Sequence, residues 1–255
     1  FWRSTEDTAI ASSITRHPLL WGNWERGQAY YQEGELMWLD ADTLIRTLTN
    51  GAKSLTDFQR IFLGKGGDTG PLIVTYDRKE LIHDLNEVVK YDWASFLHQR
   101  IDLPTEHTDL EGIKRSGYEL VYTETPSPSE RMLAGGPRGG VGANVWYSLG
   151  MRTSPDGTVR DVRWNSPADK AKLGPGYKIL GINGNSFSGD ALRQAVEDSK
   201  GNDKPIRLIV QMESDVQEVI LDWHEGMRYP ALKRVDGTPD LLDEITKPLV
   251  PQSAK

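Results

Sequence analysis

The spacing of apolar residues changes along this chain, and that change restricts the fold more than any single motif does. Up to Pro104 the apolar positions recur every three or four residues, the period of a helix with one buried stripe. From about residue 117 they recur every second residue, the period of a strand with one buried face. One uniform architecture does not accommodate both periods. The expectation is therefore a multi-domain α+β chain, all-helical first and mostly β afterwards. With 255 residues, each part has enough length to bury a core of its own.

In the helical part, residues 28–49 form the best helix. Tyr30, Met37, Ala41, Leu44, Ile45 and Leu48 trace its stripe, and Asn50-Gly51 stops it. Ahead of it, residues 5–20 read as a short helix ending before Pro18, with Trp21 and Trp24 in the turn that follows. Ser54 and Asp57 have capping-box spacing and open a helix through Leu55, Phe58 and Phe62. Gly64, Gly66, Gly67 and Gly70 suggest a mobile loop. Asp77, with Glu80 at the reciprocal position, caps a helix whose inner face is Leu81, Ile82, Leu85, Val88 and Val89. Asp92 caps one more, with Trp93, Phe96 and Leu97 inward.

The strand period begins at GYELVYTE (117–124) and returns in WYSLGMRT, TVRDVRW, YKILGI, IRLIVQM and VQEVILD. Pro155-Asp156-Gly157 and Asn183-Gly184 supply turns, and Ser166-Pro167 and Ser188 open two helices. Leu180, Ile182, Leu192, Val196, Leu208 and Val210 are expected in the core or along a groove wall. The stretch 125–144 is rich in Pro, Gly and Ser and reads as a boundary. The expected organisation is a helical portion at 1–124, a linker at 125–144 and a small β domain with two helices at 145–222. A tail at 223–255 packs along the body.

Composition removes several functions. A formal net charge of −7 argues against nucleic acid or an anionic membrane as the main partner. No window of eighteen apolar residues exists, so no membrane span is expected. Cysteine is absent, which excludes disulfides and thiol chemistry. None of the five histidines lies four residues from another, so a His-Glu-x-x-His zinc helix is missing and this chain is expected to bind no cofactor itself. GGPRGGVG (135–142) lacks the helix and Lys-Ser/Thr ending of a phosphate loop, and no serine nucleophile elbow occurs. FWRSTEDTAI carries no targeting information. Taken alone, the residues supply no complete catalytic set.

Two stretches still point to sites. Ser148-Leu149-Gly150-Met151 precedes a strand, and backbone N–H groups around a glycine can converge on a peptide carboxylate. With Ser166-Pro167-Ala168 and Gly176–Gly184, this pattern over 145–222 resembles a PDZ domain, although Tyr177 stands where that family usually has aspartate. The resemblance implies a peptide C-terminus held by Leu149, Gly150 and Met151, with Leu192 and Val196 beside the side-chain pocket. The other reading is an intramolecular segment in the groove, or a purely architectural role.

The second stretch is AYYQEGELMWLDAD (29–42). On a helix Tyr31, Glu35, Trp38 and Asp42 share the face turned away from the apolar stripe. Either Trp38 packs on a neighbouring domain with Tyr31 beside it, or Tyr31 points its phenol into a cleft. A phenol is a neutral donor at pH 7 and can stabilise an oxyanion.

The stretch YYQEGELMWLDADTLIRTLTNGAKSLTDFQRIF, the stretch VTYDRKELIHDLNEVVKYDWASFLHQRI, the PDZ-like segment and the closing YPALKRVDGTPDLLDEI together resemble the C-terminal half of a glycyl aminopeptidase-like zinc metallopeptidase. That resemblance implies a thermolysin-like catalytic domain followed by a PDZ domain, with the zinc ligands upstream of Phe1. It implies release of N-terminal Gly or Ala from peptide substrates; the compartment, bacterial cytoplasm or periplasm, stays open. It places Tyr31, in a Tyr-x-x-Gly setting ending at Gly34, as the oxyanion donor. Glu33, which stands where relatives often carry lysine, and Glu35 become candidates for the substrate's α-amine. The partners implied are the upstream catalytic portion and peptides. The alternative is a non-enzymatic scaffold that captures peptide C-termini.

Overall fold

A computed structural model describes residues 2–15, 21–65, 67, 70–71, 73–134, 143–248 and 250. Pro18, Gly66 and the glycine-rich stretch 135–142 lie outside them. The elements begin with short helices α1 (Thr5–Ile10), α2 (Ser12–Thr15) and α3 (Gly22–Glu25). The long α4 (Ala29–Leu48) follows, then α5 (Leu55–Leu63), α6 (Arg78–Val88) and α7 (Trp93–Leu97). A π-helical turn (His98–Asp102), α8 (Glu111–Arg115), strand β1 (Tyr118–Thr123) and α9 (Pro128–Ala134) come next. Then come β2 (Asn144–Val145), β3 (Met151–Thr153), β4 (Val159–Val162), α10 (Pro167–Lys170), β5 (Lys178–Ile182) and β6 (Asn185–Ser186). The chain closes through α11 (Gly189–Asp198), β7 (Ile206–Met212), β8 (Asp215–Leu221), β9 (Tyr229–Arg234) and α12 (Leu241–Thr246). The result is an α+β architecture, a run of helices followed by a region of β-sheet. It separates into one unit of residues 1–13, 28–119 and 233–255, and another of 14–27 and 120–232.

In the helical unit, α4 stops where its sequence says it should. Asn50 and Gly51 take positive φ of 51° and 80°, which asparagine and glycine tolerate best. Both halves of the capping box are made at α5. The Ser54 hydroxyl accepts from the Thr56 N–H at 3.2 Å, and the Asp57 carboxylate accepts from the Ser54 N–H at 2.8 Å. Asp77 caps α6 by accepting from the Glu80 N–H at 2.9 Å. The reciprocal half is not made: the Glu80 carboxylate pairs with Lys65 at 2.5 Å. Around these helices lie Ile45, Phe58, Leu85, Trp93, Phe96 and Leu97, with Trp93 fully buried. Its indole N–H donates to the Val89 carbonyl at 3.1 Å, satisfying the polar atom that burial would otherwise penalise.

The outer face expected of α4 is only half right. Residues 40–45 are buried all round, because α1, α5 and α8 pack on different sides of that half. Asp42 is buried and accepts from the Leu55 N–H at 2.6 Å and Arg46 Nε at 2.9 Å, so it fixes where α5 begins. Trp38 stacks on Phe58 at 5.5 Å, within the same unit. Leu48, expected on the stripe, is exposed. Open positions remain on the amino half of α4 and at its last two residues, Thr47 and Leu48.

The β unit contains a three-stranded sheet ordered β2-β3-β4 and a four-stranded sheet ordered β6-β5-β7-β8. Its core includes Val145, Leu149, Met151, Ile179, Leu192 and Leu208. Ser166 caps α10 and Ser188 caps α11, accepting from Asp169 and Ala191 N–H groups at 3.3 and 3.0 Å. Of WYSLGMRT (146–153), expected as one strand, only Met151–Thr153 is strand, as β3; residues 146–150 form the tight turn that joins it to β2. Leu180 is 38% exposed and lies outside the core. The β5–β7 register shifts between Ile179 and Gly181, and this bulge turns Ile179 and Ile182 inward together. Trp21 packs against Gly174, where an added Cβ would come within 3.0 Å of the indole, and Trp24 lies 6.4 Å from Trp164.

The tail adds ordered structure. Strand β9 pairs with β1, and Asp240 caps α12 by accepting from the Asp243 N–H at 3.0 Å. The Tyr118 hydroxyl donates to the other Asp240 oxygen at 3.1 Å.

Candidate functional site

Ahead of the buried residues 40–45, the first turns of α4 present Tyr31, Glu33 and Glu35 differently. Tyr31 is 52% exposed, and its ring lies 4.6 Å from that of Tyr30. Glu35 is exposed. Glu33 is half-buried and lines a cavity of about 360 Å³, whose other walls include Met37, Arg100, His107, Asp109 and Glu111. Tyr31 and Glu35 are not among its lining residues.

Arg100 holds the floor of this cavity. The π-helical turn carries it back toward α4, where its guanidinium lies 3.8 Å above the Phe96 ring and donates to the buried Asp40 carboxylate. It also pairs with Asp109 at 2.9 Å, while its Nε is buried without a hydrogen bond to any described residue. Arg115 donates to the other Asp40 oxygen and, at 3.2 Å, to Thr43. Asp40 thus ties the cavity wall on α4 to two cations far away in sequence. The sequence reading missed this cluster. Asp40, Arg100 and Arg115 stand 60 and 75 residues apart, so neither periodicity nor spacing connects them. Nearby, the Arg78 guanidinium holds the Asp102 carboxyl down at about 2, with help from a hydrogen bond to His98 and against the opposing effect of burial.

In the β unit, the turn ahead of β3 brings Leu149, Gly150 and Met151 together in the core with Leu192 and Val196 of α11. Leu149 and Met151 are fully buried. The N–H groups of Ser148, Leu149 and Gly150 converge, and all three donate to the Val145 carbonyl, at 3.2, 2.9 and 3.1 Å. The Leu149 carbonyl accepts from Ala168 N–H at 3.0 Å and the Gly150 carbonyl from Arg163 N–H at 2.7 Å, which joins this turn to the Ser-Pro-Ala segment. Gly150 has φ +77°, and a Cβ there would stand 2.1 Å from the Ser166 Cβ. Only glycine fits.

Among the described residues no group of three or more His, Cys, Asp or Glu side chains is arranged to hold a metal ion. Those residues alone therefore supply no zinc ligand set. Among the same residues no helix is long and apolar enough to cross a membrane.

No family model and no curated protein matches this chain. Among solved structures it is similar to an aminopeptidase N family protein from Idiomarina loihiensis, with a TM-score of 0.57 and 17% identity. That likeness covers 81% of this chain and 35% of the other, so the chain spans about a third of its length. It shows a remote relationship to an aminopeptidase N-like fold. A photosystem II D1 C-terminal processing protease aligns with 77% of this chain and 43% of its own at 14% identity, with a TM-score of only 0.24.

Proposed function

We propose that this chain is the C-terminal part of a zinc-dependent aminopeptidase that releases small residues, glycine or alanine, from peptide N-termini. It would carry a PDZ-like module. The observation that carries the reading is Tyr31. It sits exposed on the amino half of a helix whose residues 40–45 are buried, in a chain whose fold is like about a third of an aminopeptidase N family protein. In this reading the zinc ligands come from upstream sequence, and the phenol of Tyr31 donates to the oxyanion formed at the scissile carbonyl. Glu33, at the cavity wall, draws the substrate's free α-amine toward the same helix end, and Glu35 adds to the local negative potential. Asp40, Arg100 and Arg115 serve these residues by keeping α4 fixed against α8 and the π-helical turn.

The test is the sequence encoded upstream of Phe1. The proposal expects two histidines one helical turn apart with an intervening glutamate, followed by a glutamate ligand. An upstream region without that pair overturns it. A scaffold that works through its β unit alone would need no such region.

A further inference from the structure

The turn that reads as a carboxylate-binding loop already holds an acceptor, and that acceptor belongs to the chain itself. Three successive amide groups, at Ser148, Leu149 and Gly150, converge on one oxygen, the carbonyl of Val145. Convergent amides of this kind are what a peptide's terminal carboxylate would need. The strand that would receive the rest of such a peptide is also engaged. β3 lies between β2 and β4, with Asn144 opposite Arg152 and Val145 opposite Met151 on one side, and with Val162 opposite Met151 on the other. The β2 pairing continues past its last ladder residue. The Thr153 N–H donates to the Ala143 carbonyl at 3.1 Å, and the Ala143 N–H donates to the Thr153 hydroxyl at 3.0 Å.

The segment is anchored by its side chains as well. Ala143 and Val145 are buried in the same core as Leu149, Leu192 and Val196. A competing carboxylate would gain the three donors only by leaving the Val145 carbonyl without a partner in a dry environment. It would also have to lift two buried residues out of the core.

We infer that residues 143–145 are the resident occupant of the strand position beside β3, and that the Ser148–Gly150 turn grips the Val145 carbonyl in place of a ligand carboxylate. The β unit therefore captures no free peptide C-terminus, and its role is architectural. This inference rests on the PDZ-like reading of the unit within the proposed function, but not on peptidase activity.

Amide hydrogen exchange by NMR on the 255-residue chain tests it, with and without decapeptides that end in a free carboxylate after Val, Leu or Ala. The Ser148, Leu149 and Gly150 amides are expected to exchange at least about 100-fold more slowly than in an unstructured chain. Neither their rates nor their chemical shifts should change when the peptides are added. Exchange at the unstructured rate overturns the inference. So do shifts at these three amides with free-acid peptides that are absent with C-terminally amidated ones. Either failure leaves the peptidase proposal standing, since the exchange rates do not depend on what lies upstream.

Discussion

Replacing Asp40 by asparagine tests how the candidate site is held. Asp40 is 1% exposed and receives both Arg100 and Arg115, whose side chains are 15% and 26% exposed. Asparagine preserves the shape but removes the charge and turns an N–H2 toward one of the two guanidinium groups. Removing one partner of a buried ion pair costs about 3–5 kcal/mol, because the remaining charge stays out of water. Arg100 keeps Asp109 at 2.9 Å and Arg115 keeps some contact with water, which places the expected loss at the lower end, about 3 kcal/mol. At roughly 2–4 °C per kcal/mol, Tm should fall by about 6–12 °C. The assay is thermal unfolding followed by near-ultraviolet circular dichroism, which reports the buried Trp93 of the same unit. Glu35→Gln, on the exposed face, serves as the control and should stay within about 0.5 kcal/mol. An Asp40→Asn protein melting within about 2 °C of wild type would refute the reasoning, because a shift that small is within what a surface salt bridge contributes.

Three further outcomes follow from single contacts. Arg78→Ala should raise the Asp102 pKa from about 2 toward the ordinary 3.8, read by NMR titration of the carboxyl carbon. Since the folded value is the depressed one, the stability Asp102 contributes is present above pH 3.8 and is lost as pH falls through about 2. The variant should lack that resistance to acid, and an unmoved pKa would count against Arg78 as the cause. Ser54→Ala should cost about 1 kcal/mol in urea unfolding, the usual value of an N-cap, and no loss would mean that Asp57 alone holds the end of α5. Gly150→Ala should destabilise the β unit by more than about 2 kcal/mol, from a left-handed backbone plus the collision with Ser166, and a wild-type melt would show that the turn relaxes freely.

Much of the fold could be read from local chemistry. α4 was expected over 28–49 and spans Ala29–Leu48, and the caps at Ser54, Asp77, Asp92, Ser166 and Ser188 all accept the N–H bonds their positions call for. Cap and stop signals act within four residues, so a single sequence displays them. What stayed hidden depends on packing at a distance. Which face of α4 is open is decided by three other helices, so Asp42 and Trp38 read as outward and proved to be packed. Arg100 reaches Asp40 through a π-helical turn that no spacing rule marks. Likewise, the glycine of the Ser-Leu-Gly-Met stretch was legible, but not that Val145 supplies the acceptor for its amides. The exposure of Leu180 follows from a bulge that breaks the period of two on which its placement depended.

Tyr31 carries the functional account, and one kinetic comparison reaches it directly. In the intact protein, including the sequence upstream of Phe1, kcat for release of N-terminal glycine or alanine from a short peptide is measured with Tyr31 and with Tyr31→Phe. The side chain is half exposed and bears little core packing, so the variant should fold and melt like the parent. The account predicts a fall in kcat of about 100-fold, the lower end for losing one oxyanion donor. Equal kcat in the two proteins, or no release by the parent, would contradict it.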